Sequence, residues 1–150
     1  MSRLLVVHHT PSPRVDELVT AMIEGACDPS IEGVEVLTRA ALVATATDVI
    51  SADGYLLATP ANLGYMSGAL KHFFDTIYYP CLRETTGRPY GLMVHGNNDV
   101  DGAVNAVKRI VTGLDWREVH LPVRCTGESP AAETEACWEL GATLAATLAV

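Results

Sequence analysis

Nowhere in this 150-residue chain does an apolar run reach the roughly 18 residues that a membrane-crossing helix requires. Basic residues are also scarce: 10 Lys and Arg stand against 18 Asp and Glu, a formal charge of −8. Nucleic acid and anionic membrane both call for a basic face, so neither is an expected partner. Acidity by itself names no partner and serves solubility. The four cysteines, Cys27, Cys81, Cys125 and Cys137, form no C-x-x-C or zinc-like spacing. Cys27 and Cys137 fall in helical patterns among apolar neighbours and read as inert core thiols, which favours a reducing compartment, the cytoplasm. There is no linker, repeat or low-complexity segment, so residues 1–150 read as one domain long enough to bury a core. The opening Met1 to Val7 holds too short an apolar stretch for a signal peptide and reads as a first strand.

What the chain does contain is a regular alternation of strand-like and helical patterns. Strands are expected at Leu4–Val7, Val34–Leu37, Tyr55–Thr59, Tyr90–His95 and about Glu118–Val123. Between them fall a helix from Pro13 to Ala26, a short one near Val43–Ser51, one carrying Leu70, Phe73, Phe74 and Ile77, and one carrying Val100 to Leu114. A last helix, opened by Ser129-Pro130 as cap and first turn, carries Cys137, Leu140, Leu144 and Leu148. Five such units with short connections imply a parallel sheet between two helical layers. Strands one, three and four are continuous apolar runs and belong inside, whereas two and five alternate with charge and belong at the edges. The strand order is therefore 2-1-3-4-5, one that flavodoxins share with receiver domains. A ligand is then expected in the crevice beyond the carboxyl ends of strands one and three.

Two segments occupy that position. His9-Thr10-Pro11-Ser12-Pro13-Arg14-Val15 joins the first strand to the first helix. Ser12 can cap the helix, Pro13 needs no N–H at the first helical position, and the amides of Arg14 and Val15 face outward at the positive end of the helix. That is either an anion site or an ordinary capped helix with a solvated arginine. The second segment, Thr59-Pro60-Ala61-Asn62-Leu63-Gly64-Tyr65-Met66-Ser67-Gly68, leads into Lys71, Phe73 and Asp75. Gly64 and Gly68 permit close backbone approach by a flat heterocycle. A third segment, His95-Gly96-Asn97-Asn98-Asp99-Val100-Asp101, ends the fourth strand; its Asn side chains can read a pyrimidine edge, and Asp99 or Asp101 can cap the next helix. His8-His9 is not read as a metal site, because alternation sends the two rings to opposite faces.

The pattern P-x-x-x-G-x-M-S-G-x-x-K-x-F-x-D over Pro60–Asp75 resembles the flavin loop of NAD(P)H:quinone reductases of the tryptophan-repressor-binding-protein type. It is also similar to the loop of NADPH-dependent FMN reductases. The resemblance implies a flavodoxin-like three-layer α/β sandwich with a five-stranded parallel sheet. It implies bound FMN, with NAD(P)H as electron donor and a quinone or other small molecule as acceptor. The phosphate would fall on Thr10, Ser12, Arg14 and Val15. The ring and ribityl chain would lie along Pro60, Ala61, Asn62, Leu63, Gly64 and Tyr65. A further ring contact would come from His95, Gly96 and Asn97. No side chain is singled out as catalytic, since the flavin carries the chemistry. A homodimer that completes the site is left open.

Other classes fit less well. A receiver domain needs acidic residues after strand one and an Asp closing strand three, where this chain has His8-His9 and Thr59-Pro60. G-x-S-x-G is not present, since Ser67 comes one place late, and no G-x-G-x-x-G or P-loop follows strand one. Two readings within the same fold remain beside the reductase. One is a flavodoxin-type one-electron carrier, disfavoured because His95–Val100 supplies no aromatic to sandwich the ring. The other is a domain that has lost FMN, for which the proline-rich first loop is the argument.

Overall fold

The computed structural model describes residues 1–149. Strand β1 (Ser2–His8) runs parallel to β2 (Val34–Ala40) on one side, from Ser2 against Val34 to His8 against Ala40. On its other side it pairs with β3 (Gly54–Asn62), which in turn pairs with β5 (Pro89–His95), from Tyr55 against Tyr90 to Pro60 against His95. The short strand β4 (Tyr65–Met66) folds back antiparallel on β3. The far edge of β5 is shared by β6 (Arg117–Glu118) and β7 (Val123–Cys125). The sheet order is β2-β1-β3-β5-β6, the expected order once the two edge pieces are counted as one.

That last strand departs from the sequence expectation of Glu118–Val123. Its middle leaves the ladder: Leu121 is exposed, and Pro122 has no N–H to give to β5. Helix α1 (Pro13–Ala26) keeps its expected bounds and α2 (Ala46–Ser51) starts later than expected, because Thr45 and Asp48 close a capping box there while Leu42 and Val43 stay exposed. Helices α3 (Gly68–Cys81), α4 (Val100–Gly113) and α5 (Pro130–Leu148) complete the layers. At α5 the expected Ser129 cap does not form; Ser129 lies at ψ 75° and its side chain makes no cap bond. The Glu133 carboxylate accepts instead from the amides of Gly127 and Ser129.

Alternation explains why the central strands are apolar throughout. Leu4, Val6, Leu56, Ala58 and Met93 face α1 and α5, whereas Leu5, Val7, Leu57, Leu92 and Val94 face α2, α3 and α4. Helices α1 and α5 touch backbone to backbone, since a Cβ at Gly141 would collide with the Met22 carbonyl. Cys137 is a core thiol as expected, but Cys27 is not: α1 ends at Ala26 and leaves Cys27 exposed as its C-cap. Among the described residues no helix is long and apolar enough to cross a membrane.

Candidate functional site

The carboxyl ends of β1, β3, β5 and β7 set four loops side by side. The first leaves β1 as the His9 amide donates to the Ala58 carbonyl at 3.1 Å. His8 Nδ1 and Thr10 Oγ1 share a hydrogen bond at 2.6 Å. Burial holds the His8 ring below its ordinary pKa, against a weaker upward pull from Asp16 and with a smaller downward push from His9. His9 Nδ1 is the one buried side-chain polar atom without a hydrogen-bond partner among the described residues. Ser12 takes its expected place as N-cap of α1, accepting from the Val15 amide at 3.3 Å.

Arg14 is placed differently from the rest of that loop. Its guanidinium donates to Glu17 Oε2 and Thr134 Oγ1, each at 3.1 Å, and to the Pro130 carbonyl at 2.8 Å. It also lies 3.7 Å from Glu133. All but Glu17 belong to α5, so the charge that sequence reasoning assigned to an anion in the crevice is spent on docking α1 against α5. The physical reason is that Glu133 is itself buried and needs a cation.

The second loop is a tight hairpin. β3 runs to Asn62, turns at Leu63 (φ 52°) and Gly64 (φ 73°), and returns as Tyr65 opposite Asn62. Two successive central residues at positive φ mark the turn type that suits the twist of paired strands. Pro60 and Met66 point into the protein, whereas Asn62, Leu63 and Tyr65 are exposed. Thr59 braces the base of the hairpin: its hydroxyl accepts from the Ser67 amide at 2.9 Å and donates to the Pro60 carbonyl at 2.8 Å. Ser67 then caps α3 through the Leu70 amide.

The third loop packs against the second, Gly96 on Ala61. Gly96 donates its amide to the Cys125 carbonyl at 3.0 Å. Asp99, at φ 47°, is the N-cap of α4 and accepts from the Gly102 amide at 3.2 Å. Asp101 instead pairs with Arg124 at 2.6 Å. The Asp99 carboxylate also faces Gly64, where a Cβ would stand 2.5 Å from Oδ2. Asn97 and Asn98 are exposed, and the loop carries no aromatic. A fourth loop, 126–129, is held by Glu133 beside the third, and sequence reasoning overlooked it because its charged anchor lies inside a helix.

Thr10, Ser12 and Val15 therefore gather at the start of α1, Pro60 to Tyr65 form the hairpin, and His95 to Asn97 adjoin it. This set has the chemistry FMN requires: hydroxyls, a helix start and an unpartnered imidazole nitrogen for a phosphate, and exposed hairpin backbone for a flat ring. No group of three or more His, Cys, Asp or Glu suited to a metal ion occurs among the described residues.

Sequence reasoning also missed a groove beside the hairpin. Gly102, Asn105, Ala106 and Arg109 recur at helical spacing on one face of α4 and, with Gly64, Tyr65 and Lys71, line a cleft of about 480 Å³. The i, i+3, i+4, i+7 recurrence of small and polar residues was the available signal.

The model of the NADPH-dependent FMN reductase family matches residues 14–124, starting just after Thr10 and Ser12. A flavodoxin of Aquifex aeolicus is 33% identical over 88 residues, 59% of this chain and 46% of that protein. The match thus spans about half the length of that curated relative. Among solved structures, a flavodoxin, WrbA-like protein from Agrobacterium tumefaciens superposes with a TM-score of 0.80 at 18% identity, covering 99% of this chain and 98% of the other. A flavodoxin from the domain Archaea reaches 0.81 at 13% identity, covering 97% and 98%. At such identities these two show the fold, which is flavodoxin-like. With three-quarters of its length under the family model, the chain belongs to the NADPH-dependent FMN reductase family.

Proposed function

We propose that this chain is an NAD(P)H-dependent reductase that binds FMN over the crevice between β1 and β3 and reduces a quinone or another small acceptor in the cytoplasm. Bound FMN supplies a ring nitrogen that takes hydride from the nicotinamide and passes the electrons onward. The protein's part is to hold and orient it. Ser12 keeps the start of α1 in a helical geometry, and the Thr10 hydroxyl and His9 imidazole stand beside it as partners for the phosphate. The Asn62–Tyr65 hairpin offers its backbone to the ring, and Thr59 braces that hairpin at its base. Arg14 is left out of the phosphate set, because α5 occupies it.

One observation favours an enzyme over an electron carrier. The third loop has no aromatic, and Tyr65 in the second lines the α4 groove. A ring held beside the hairpin would then lack an aromatic from the third loop, which would leave one face to two substrates in turn. The identity to a flavodoxin keeps the carrier as the second reading. The crevice offers a phosphate one helix start, that of α1, so FMN should quench on binding and FAD should not. Steady-state oxidation of NADPH and NADH with a benzoquinone acceptor and added FMN tests the activity. Turnover that needs both flavin and acceptor supports the reductase, and none with either nicotinamide rejects it.

A further inference from the structure

The groove beside the hairpin has an unusual charge for this molecule. It comprises the cleft of about 480 Å³ next to Tyr65 and an adjoining one of about 510 Å³ lined by Asn105, Lys108, Arg109 and Thr112. Asn105 and Arg109 belong to both. In a chain with 18 acidic and 10 basic residues, these two linings hold Lys71, Lys108 and Arg109 and no carboxylate among the described residues. Lys108 is paired with Glu118 at 3.5 Å, and Lys71 with Asp75, whose carboxylate lies outside both linings. Lys71 retains donor capacity, since an ammonium has three N–H groups. Arg109 is exposed and has no ion pair among the described residues.

The groove is also shaped for more than a bare anion. Near the hairpin its floor is Gly102 and Ala106, and its walls are Tyr65 and the half-buried Ile110. A flat base can lie there at little cost in side-chain ordering. From Gly102, which abuts the Gly64 carbonyl, to Arg109 is seven residues of helix, about 10 Å at 1.5 Å per residue. The groove therefore starts at the proposed flavin hairpin and ends on a guanidinium able to grip a phosphate through two parallel N–H bonds.

We propose that this groove holds the phosphorylated ribose end of the nucleotide donor, with Arg109 and Lys71 on the 2′-phosphate of NADPH and the adenine against Tyr65 and Ile110. The proposal rests on the reductase reading and extends it: these residues select NADPH over NADH. A 2′-phosphate brings a dianion where NADH has only a hydroxyl, and hydrogen bonds from charged donors to an anion are the stronger kind. Because the cations are exposed, the selectivity should fall as salt rises.

The test uses calorimetric titration of the purified protein with three probes: adenosine 2′,5′-bisphosphate, adenosine 5′-monophosphate and inorganic phosphate. The bisphosphate should bind roughly tenfold tighter than the monophosphate. Arg109→Ala and Lys71→Gln should each remove most of that advantage, and Arg3→Ala, at the opposite end of β1, should leave it intact. Equal affinity for the two nucleotides overturns the proposal, as does an advantage that survives both groove variants. Inorganic phosphate competing as well as the bisphosphate also overturns it, reducing the groove to a general anion site. No step of this test needs flavin, so it separates from the parent reading. A protein that binds the bisphosphate as described and never quenches FMN keeps the groove and loses the reductase.

Discussion

Leu63 sits at φ 52° with its side chain wholly in solvent, on the hairpin that adjoins the crevice. A left-handed conformation costs a β-carbon-bearing residue about 1 kcal/mol, and an exposed leucine recovers none of it by burial. Asparagine tolerates that conformation, so Leu63→Asn should raise apoprotein stability by up to about 1 kcal/mol. If the Leu63 side chain rests on the flavin, the same variant should weaken FMN severalfold. Thermal melting and fluorescence titration on one preparation check both, and unchanged FMN affinity would remove Leu63 from the site. Gly64 behaves oppositely. Any side chain there meets both a positive φ and the Asp99 carboxylate, so its variants lose stability before they report on cofactor.

His8 gives the residue scale its pH dependence. Burial lowers its pKa below the ordinary 6.5. In the window between the folded pKa and 6.5 the unfolded chain therefore binds more protons than the folded one, and stability falls as pH falls. Wild type and His8→Asn should differ by a constant amount above about pH 7.5, and wild type should lose ground from about 6.5 down to the folded pKa. Denaturant midpoints measured across that range give the comparison. Parallel curves throughout would mean that His8 titrates as it does in the unfolded chain.

Among elements, the α1–α5 pair shows best how local sequence and tertiary need compete. Glu133 accepts the Gly127 and Ser129 amides, faces Arg14 and is almost fully buried. Glu133→Ala should cost about 1–3 kcal/mol, the range for stranding buried polar partners, while Ser129→Ala should be nearly neutral. Arg14→Ala should also lower the melting temperature, by a few degrees, and change FMN affinity less than about twofold. Urea unfolding beside a flavin titration separates the two effects; a stable Arg14→Ala protein that has lost FMN would return the guanidinium to the phosphate.

The same pair shows what the sequence could reveal. The start of α1 was legible because Ser12-Pro13 is a local device that works the same way in any context. The α5 cap was not, because Ser129 is bypassed by a carboxylate whose role depends on an arginine 119 positions earlier in the chain. The contacts of Arg14 with α5 were hidden for the same reason. Cys27 was read as a core thiol from its apolar neighbours, although it follows the last helical residue and lies in solvent.

For the whole molecule, strand order was legible because it rests on which strands are apolar on both faces, a pattern that alternation writes directly into the sequence. The split of the edge strand was harder to see, since an edge has one partner and one proline suffices to interrupt it. The crevice followed from strand order, but the groove along α4 did not. It is built by residues from a hairpin and two helices that meet only after folding.

On the proposed reading this crevice holds FMN with one ring face open to a nicotinamide. Anaerobic titration of the FMN-loaded protein with NADPH, followed by absorbance, tests it most directly. The oxidised flavin band should bleach with one equivalent of NADPH, with no second protein present, and return when a quinone is added. A flavin that stays coloured with NADPH and NADH alike, yet takes single electrons from dithionite, would contradict the claim and make the chain a carrier.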